Sequence, residues 1–146
     1  MAIETLLLAV GGANDQRVDE MVETTKQEAS GTDTEVVIFH VFDEDDFRSL
    51  STQMNLPTDT APARLAERNV TVSRIRDKLE DAGISVRVDG AIGDRSDTIV
   101  EMADRIEADR IIVGGRKRTP VGKAIFGSTA QSVMMNASCP TTFVRA

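Results

Sequence analysis

Tryptophan and tyrosine are absent, and five phenylalanines make up the whole aromatic content. Single-stranded nucleic acid is held largely by stacking on aromatic faces, so this chain has few platforms for it. Charge points the same way: 24 acidic against 17 basic residues leave −7, no footing for a phosphate backbone. The single cysteine, Cys139, excludes an internal disulfide and fits a reducing compartment. No apolar run approaches the roughly eighteen residues of a membrane span. The start MAIETLLLAV lacks a basic lead, and its apolar run is too short for a signal peptide. These absences predict a cytoplasmic protein with neither membrane nor nucleic acid as partner. Lysine is scarce too, four against thirteen arginines. Acid excess with little lysine is compatible with a high-salt cytoplasm, and solubility alone accounts for it equally well.

What is present suits one globular domain spanning 1–146, long enough to bury a core. Short apolar runs at Glu4–Val10, Glu35–Val41, Ile84–Val88, Arg110–Val113 and Thr141–Val144 predict buried strands. Between them apolar residues recur at helical spacing. Val18, Met21, Val22 and Thr25 predict a helix over Asp15–Ser30, with Asn14 or Asp15 to cap it and Gly31 to end it. Pro62 can open a second helix carrying Leu65, Val72, Ile75 and Leu79, ended by Gly83. A third starts at Asp94 or Ser96 with Ile99, Met102, Ala103 and Ile106 on one face. A fourth starts at Ser128 with Ala130, Val133, Met134 and Ala137 inward. Phe42 to about Thr60 shows no period and is expected to be a long loop. Strands alternating with helices predict an α/β fold, a parallel sheet covered on both faces. Ligands of such sheets bind beyond the C-terminal strand ends, where strand order reverses.

The richest stretch is Ile111-Ile112-Val113-Gly114-Gly115-Arg116-Lys117, followed by Gly127-Ser128-Thr129. A strand, a glycine-rich loop and a helix start in that order make a phosphate site: glycines admit the anion, and the helix end offers unpaired N–H groups. Ser128 with Gln131 also fits a capping box, a structural role that can coexist with phosphate contact. Arg116, Lys117, Arg118 and Lys123 make the loop basic, either an anion site or a solvated surface. His40, the sole histidine, has no evident nucleophile to serve and is expected to be packed or hydrogen-bonded. Asp43, Glu44, Asp45 and Asp46 lack the spacing of a calcium loop and are expected to be a solvated run rather than metal ligands. Cys139 is expected to be a packing residue rather than a reactive thiol.

Gly114 and Gly127-Ser128, with Lys117 in place of a second glycine, His40-Val41, Gly93-Asp94 and the ending Ala137-Ser138-Cys139-Pro140 resemble the universal stress protein family over nearly the whole chain. The resemblance implies a five-stranded parallel sheet in the order 3-2-1-4-5, doubly wound, with two helices on each face. It implies a crevice between the first and fourth strands, where Gly11-Gly12 would face Gly114-Gly115. It implies a homodimer, commonly made through the last strand, here Thr141–Val144, and a role in stress response. Some members bind ATP in the crevice, with any Mg²⁺ arriving on the phosphates; others do not, and most have no established turnover. Carried over residue by residue, the adenine-nucleotide site comprises Val10, Gly11, Val41, Gly114, Gly115, Arg116, Lys117, Gly127, Ser128 and Thr129, with no catalytic residue and no protein-bound metal. Two positions depart from the ATP-binding branch. Gly11 stands where that branch usually has an aspartate, and Lys117 stands where the signature has glycine. A module that dimerises and binds partners without nucleotide is therefore an alternative. An ATP-using enzyme is a third, faintly suggested by Val10-Gly11-Gly12-Ala13-Asn14-Asp15.

Overall fold

The computed structural model describes residues 3–11, 15–29, 33–57, 59–114 and 127–144, with the backbone alone for 15–17. Five strands, β1 (Thr5–Ala9), β2 (Glu35–Phe42), β3 (Ser85–Ile92), β4 (Arg110–Gly114) and β5 (Thr141–Val144), form one sheet in the order β3-β2-β1-β4-β5. All pairings are parallel; Leu7 of β1 lies between Val37 of β2 and Ile111 of β4. This is the expected strand order, with its reversal between β1 and β4.

Alternation along the strands sends side chains to two separate cores. Leu6, Leu8, Val36, Ile38 and Ile112 pack on one face against α1 (Asp15–Ala29) and α4 (Val70–Asp81). Leu7, Val37, Phe39, Ile111 and Val113 pack on the other against α5 (Arg95–Arg105) and α6 (Ser128–Asn136). Two helices on each face thus cover the central strands. Apolar burial at about 25 cal/mol per Å² is what holds such layers together.

Two further helices, α2 (Glu44–Gln53) and α3 (Pro62–Glu67), cover a third cluster of Phe42, Phe47, Leu65 and Ala66. Here the expectation of a loop from Phe42 to Thr60 is corrected. Asp43 accepts the Asp46 N–H at 2.7 Å and caps α2, while Glu44, Asp45 and Asp46 sit in its first turn. Acids there complement the positive end of the helix dipole, so the run that looked like loop polarity is a helix start. The single helix expected from Pro62 to Gly83 is two. Asn69 takes extended backbone and accepts the Val72 N–H at 3.1 Å, ending α3 and capping α4. Gly83, at φ +82°, ends α4 in the left-handed region that glycine enters without strain.

β3 runs four residues past the expected Val88, paired with β2 as far as Phe42 opposite Ile92. Gly90 permits this. A Cβ there would lie 2.7 Å from the Pro62 carbonyl oxygen, so glycine lets α3 press onto the strand. The Asn14 cap, Ser30 and Gly31 lie outside the described residues. No described helix is long and apolar enough to cross a membrane.

Candidate functional site

Parallel strands end together at one edge of the sheet, and a cleft opens there where β1 and β4 diverge to opposite crossovers. Val10 and Gly11 after β1, with Val113 and Gly114 of β4, form its floor. Phe39 and Val41 of β2, Arg95 and Ile99 of α5, and Gly127 to Ala130 form one side. Val18 and Met21 of α1 and Thr71 of α4 form the other. The cleft encloses about 940 Å³ of space, part of it open solvent.

Among the residues singled out from sequence, Val10, Gly11, Val41, Gly114, Gly127, Ser128 and Thr129 therefore meet in one cleft. Gly115, Arg116 and Lys117, with Arg118 and Lys123, lie outside the described residues. Ser128 needs a correction. The cap of α6 is Gly127, in extended backbone at φ −71°, ψ 158°, and Ser128 is the first helical residue. The Ser128–Gln131 box is not formed, and no described side chain caps α6. The first amides of a helix have no partner within it. In α2, α4 and α5 one of them is taken by Asp43, Asn69 or Asp94; at α6, which borders the same cleft as Gly114, no described side chain takes one.

The end of β1 is fixed by β2. The Val10 N–H donates to the Phe39 carbonyl at 2.9 Å, and His40 Nδ1 meets the Val10 carbonyl oxygen at 2.8 Å. A carbonyl only accepts, so Nδ1 carries the proton. His40 is 9% exposed and stands edge-on to Phe42, ring centroids 4.5 Å apart. Burial holds its pKa below the ordinary 6.5, against the Val10 hydrogen bond, which raises it. The imidazole is thus packed and hydrogen-bonded, and it anchors the strand end that carries Gly11. At Gly11 a Cβ would meet nothing within 4 Å.

Arg95 and Thr71 are the side chains that sequence reasoning missed. Arg95 is exposed at the first position of α5, and it is the one charged side chain among the described residues of the cleft. Asp94 before it caps α5, accepting the Asp97 N–H at 3.0 Å. The signal was available: a cation at a helix N-terminus opposes the dipole by about 0.3–1 kcal/mol, and locally unfavourable choices cluster at functional sites. Thr71 is 4% exposed, and its Oγ1 is buried with no hydrogen-bond partner among the described residues. No sequence pattern marked it, because its place depends on how α4 lies beside α1.

Among the described residues no group of three or more His, Cys, Asp or Glu lies together to hold a metal ion. Cys139 is half-buried against the core beneath α5 and α6, where burial pushes its thiol pKa up, away from the reactive thiolate.

The Universal stress protein family matches residues 2–145. A universal stress protein of Methanocaldococcus jannaschii is 28% identical over 79 residues, 54% of this chain and 46% of that protein. One of Mycolicibacterium smegmatis is 30% identical over 84 residues, 57% of this chain and 64% of that protein. The alignments thus span about half to two thirds of those relatives' lengths. Among solved structures, hypothetical protein MJ0577 superposes with a TM-score of 0.74 at 22% identity, covering 100% of this chain and 98% of that one. A universal stress protein in complex with cAMP gives 0.69 at 18% identity, covering 99% and 98%. The Archaeoglobus fulgidus protein in complex with dAMP gives 0.63 at 20% identity, covering 99% of each chain. These likenesses show the fold.

Proposed function

The chain belongs to the universal stress protein family, and from that membership we propose that it is a dimeric, cytoplasmic stress-response module that binds an adenine nucleotide in the β1/β4 cleft. The observation that carries the reading is the convergence of Gly11, Val41, Gly114 and the uncapped start of α6 on one cleft. Related folds in complex with cAMP and dAMP support the ligand class. Val41, Phe39 and Ile99 offer the base an apolar wall, and the open amides of α6 offer the phosphates donors at a positive helix end. Any Mg²⁺ enters with those phosphates. Nucleotide acts by ordering what the dimer presents, and it shifts that equilibrium by its differential affinity for the two states. The dimer forms through β5, a four-residue strand paired on one side only, with β4.

Calorimetric titration of the purified protein with ATP, with and without Mg²⁺, tests this beside Gly11→Asp. No described atom lies within 4 Å of a Cβ at Gly11, which leaves room there for the acid of the ATP-binding branch. Saturable binding by the unmodified chain, tightened in Gly11→Asp, is the expected result. Binding by Gly11→Asp alone would overturn it and place the chain among modules that work through partner contacts without nucleotide.

A further inference from the structure

The cleft of this chain carries a positive charge and, among its described residues, no acid. Where the ATP-binding branch has an aspartate stands Gly11, and across the floor stands Arg95. The geometry points to Arg95 as the side chain by which the cleft selects a ligand's phosphate, an assignment that rests on the nucleotide reading above.

Three observations carry it. First, α5 and α6 pack on the same face, Ile99 and Ala130 sharing one core cluster, and both helices begin at the ligand edge of the sheet. The guanidinium and the open amides of α6 therefore border the same space. Second, the neighbouring acids are already committed. Asp43 is tied to the Asp46 N–H, and Asp94 holds the Asp97 N–H and the Ser96 hydroxyl. Among the described residues Arg95 has no ion-pair or hydrogen-bond partner. Burial lowers the His40 pKa and the Asp46 N–H lowers that of Asp43, and the Arg95 charge adds a smaller push in the same direction to each. Third, its position opposes the α5 dipole, so the helix it begins gains nothing from the cation. A guanidinium offers a planar fork of donors that matches phosphate oxygens, and pairs of that kind are the strong ones.

The test is titration of the full chain and its Arg95→Gln and Arg95→Lys variants with ATP, AMP, adenosine and inorganic pyrophosphate, with thermal unfolding in parallel. Arg95→Gln is expected to weaken ATP and AMP about tenfold or more and to leave adenosine unchanged. Arg95→Lys is expected to recover part of the loss. The Tm is expected to hold or rise slightly in Arg95→Gln, which a residue with a structural role would not allow. Equal loss for adenosine would overturn the assignment by placing the guanidinium on the base. Unchanged nucleotide affinity would overturn it while leaving the nucleotide reading intact. Pyrophosphate binding that depends on Arg95, with no nucleotide bound by any variant, would uphold the anion role and overturn the nucleotide reading. Silence toward all four ligands would overturn both.

Discussion

His40 is the chain's only histidine, so its removal and its titration are both cleanly readable. His40→Leu keeps an apolar side chain in a site that is 9% exposed but withdraws the donor from the Val10 carbonyl, 2.8 Å away. A buried acceptor left unpaired costs about 1–3 kcal/mol. In a domain of this size each kcal/mol lowers Tm by about 2–4 °C, so a fall of roughly 2–12 °C is expected. The pH dependence has a definite sign. Nδ1 donates to Val10 in either charge state, so the hydrogen bond survives protonation; desolvation is what disfavours the cation and lowers the pKa. The unfolded chain takes up its proton near 6.5, while the folded chain waits for a lower pH. Stability therefore declines as pH drops below about 6.5 and stops declining once the folded pKa is passed. His40→Leu lacks that slope, so the gap between the two proteins narrows on acidification. Thermal unfolding from pH 8 to pH 5 measures the gap, and ¹H–¹⁵N NMR of the single imidazole reports tautomer and midpoint. A midpoint at or above 6.5, a proton on Nε2 alone at neutral pH, or parallel pH slopes for the two proteins would refute the reasoning.

Gly90→Ala sets a Cβ 2.7 Å from the Pro62 oxygen and 2.9 Å from its carbon; α3 must lift, costing about 1–3 kcal/mol, measurable as a lower urea midpoint, whereas unchanged stability would mean that α3 does not press on β3. Thr71→Val replaces a buried, unpartnered hydroxyl by a methyl of the same size, so Tm is expected to hold or rise, and a fall of several degrees would show that the hydroxyl has a partner. Asp109 accepts the Glu4 and Thr5 N–H groups at 2.9 and 3.0 Å, which holds its pKa below 3.8. Its contribution is present above about 3.8 and lost as pH falls through the lower folded value, so the urea midpoints of Asp109→Asn and the unmodified chain should draw together as pH falls below about 3.8.

The sheet was legible because its strands are buried on both faces. Leu6 to Leu8, Val36 to Phe39 and Ile111 to Val113 are continuous apolar runs, as doubly covered strands must be. Their order came from the family resemblance, since alternation alone fixes direction and not neighbours. The region over the β2–β3 end was misjudged because local chemistry there serves two purposes. Asp43 to Asp46 has the polarity of a loop and the capping pattern of a helix start, and Phe47 with Ser51 supplies the one-turn spacing that decides for the helix. Asn69 likewise interrupts an apolar period without a glycine or proline to announce the break.

The site divides along a different line. Its backbone parts were legible because glycine and Gly-Ser carry a conformational meaning that does not depend on distant packing; Gly114 and Gly127 fall where the pattern puts them. Its side-chain parts depend on the register between elements and were not. Arg95 is separated from Gly11 by 84 positions of sequence, yet the parallel sheet brings both to one edge because every crossover returns the chain in the same direction. Taken singly, Gly11 is a missing acid and Arg95 a poorly placed base. Taken together in one cleft they are a change of sign. A carboxylate repels a ligand's phosphates and draws its hydroxyl donors; a guanidinium does the reverse. A cleft lined by Gly11 and Arg95 therefore favours the anion over the sugar, through one local cation in a chain whose overall charge is −7.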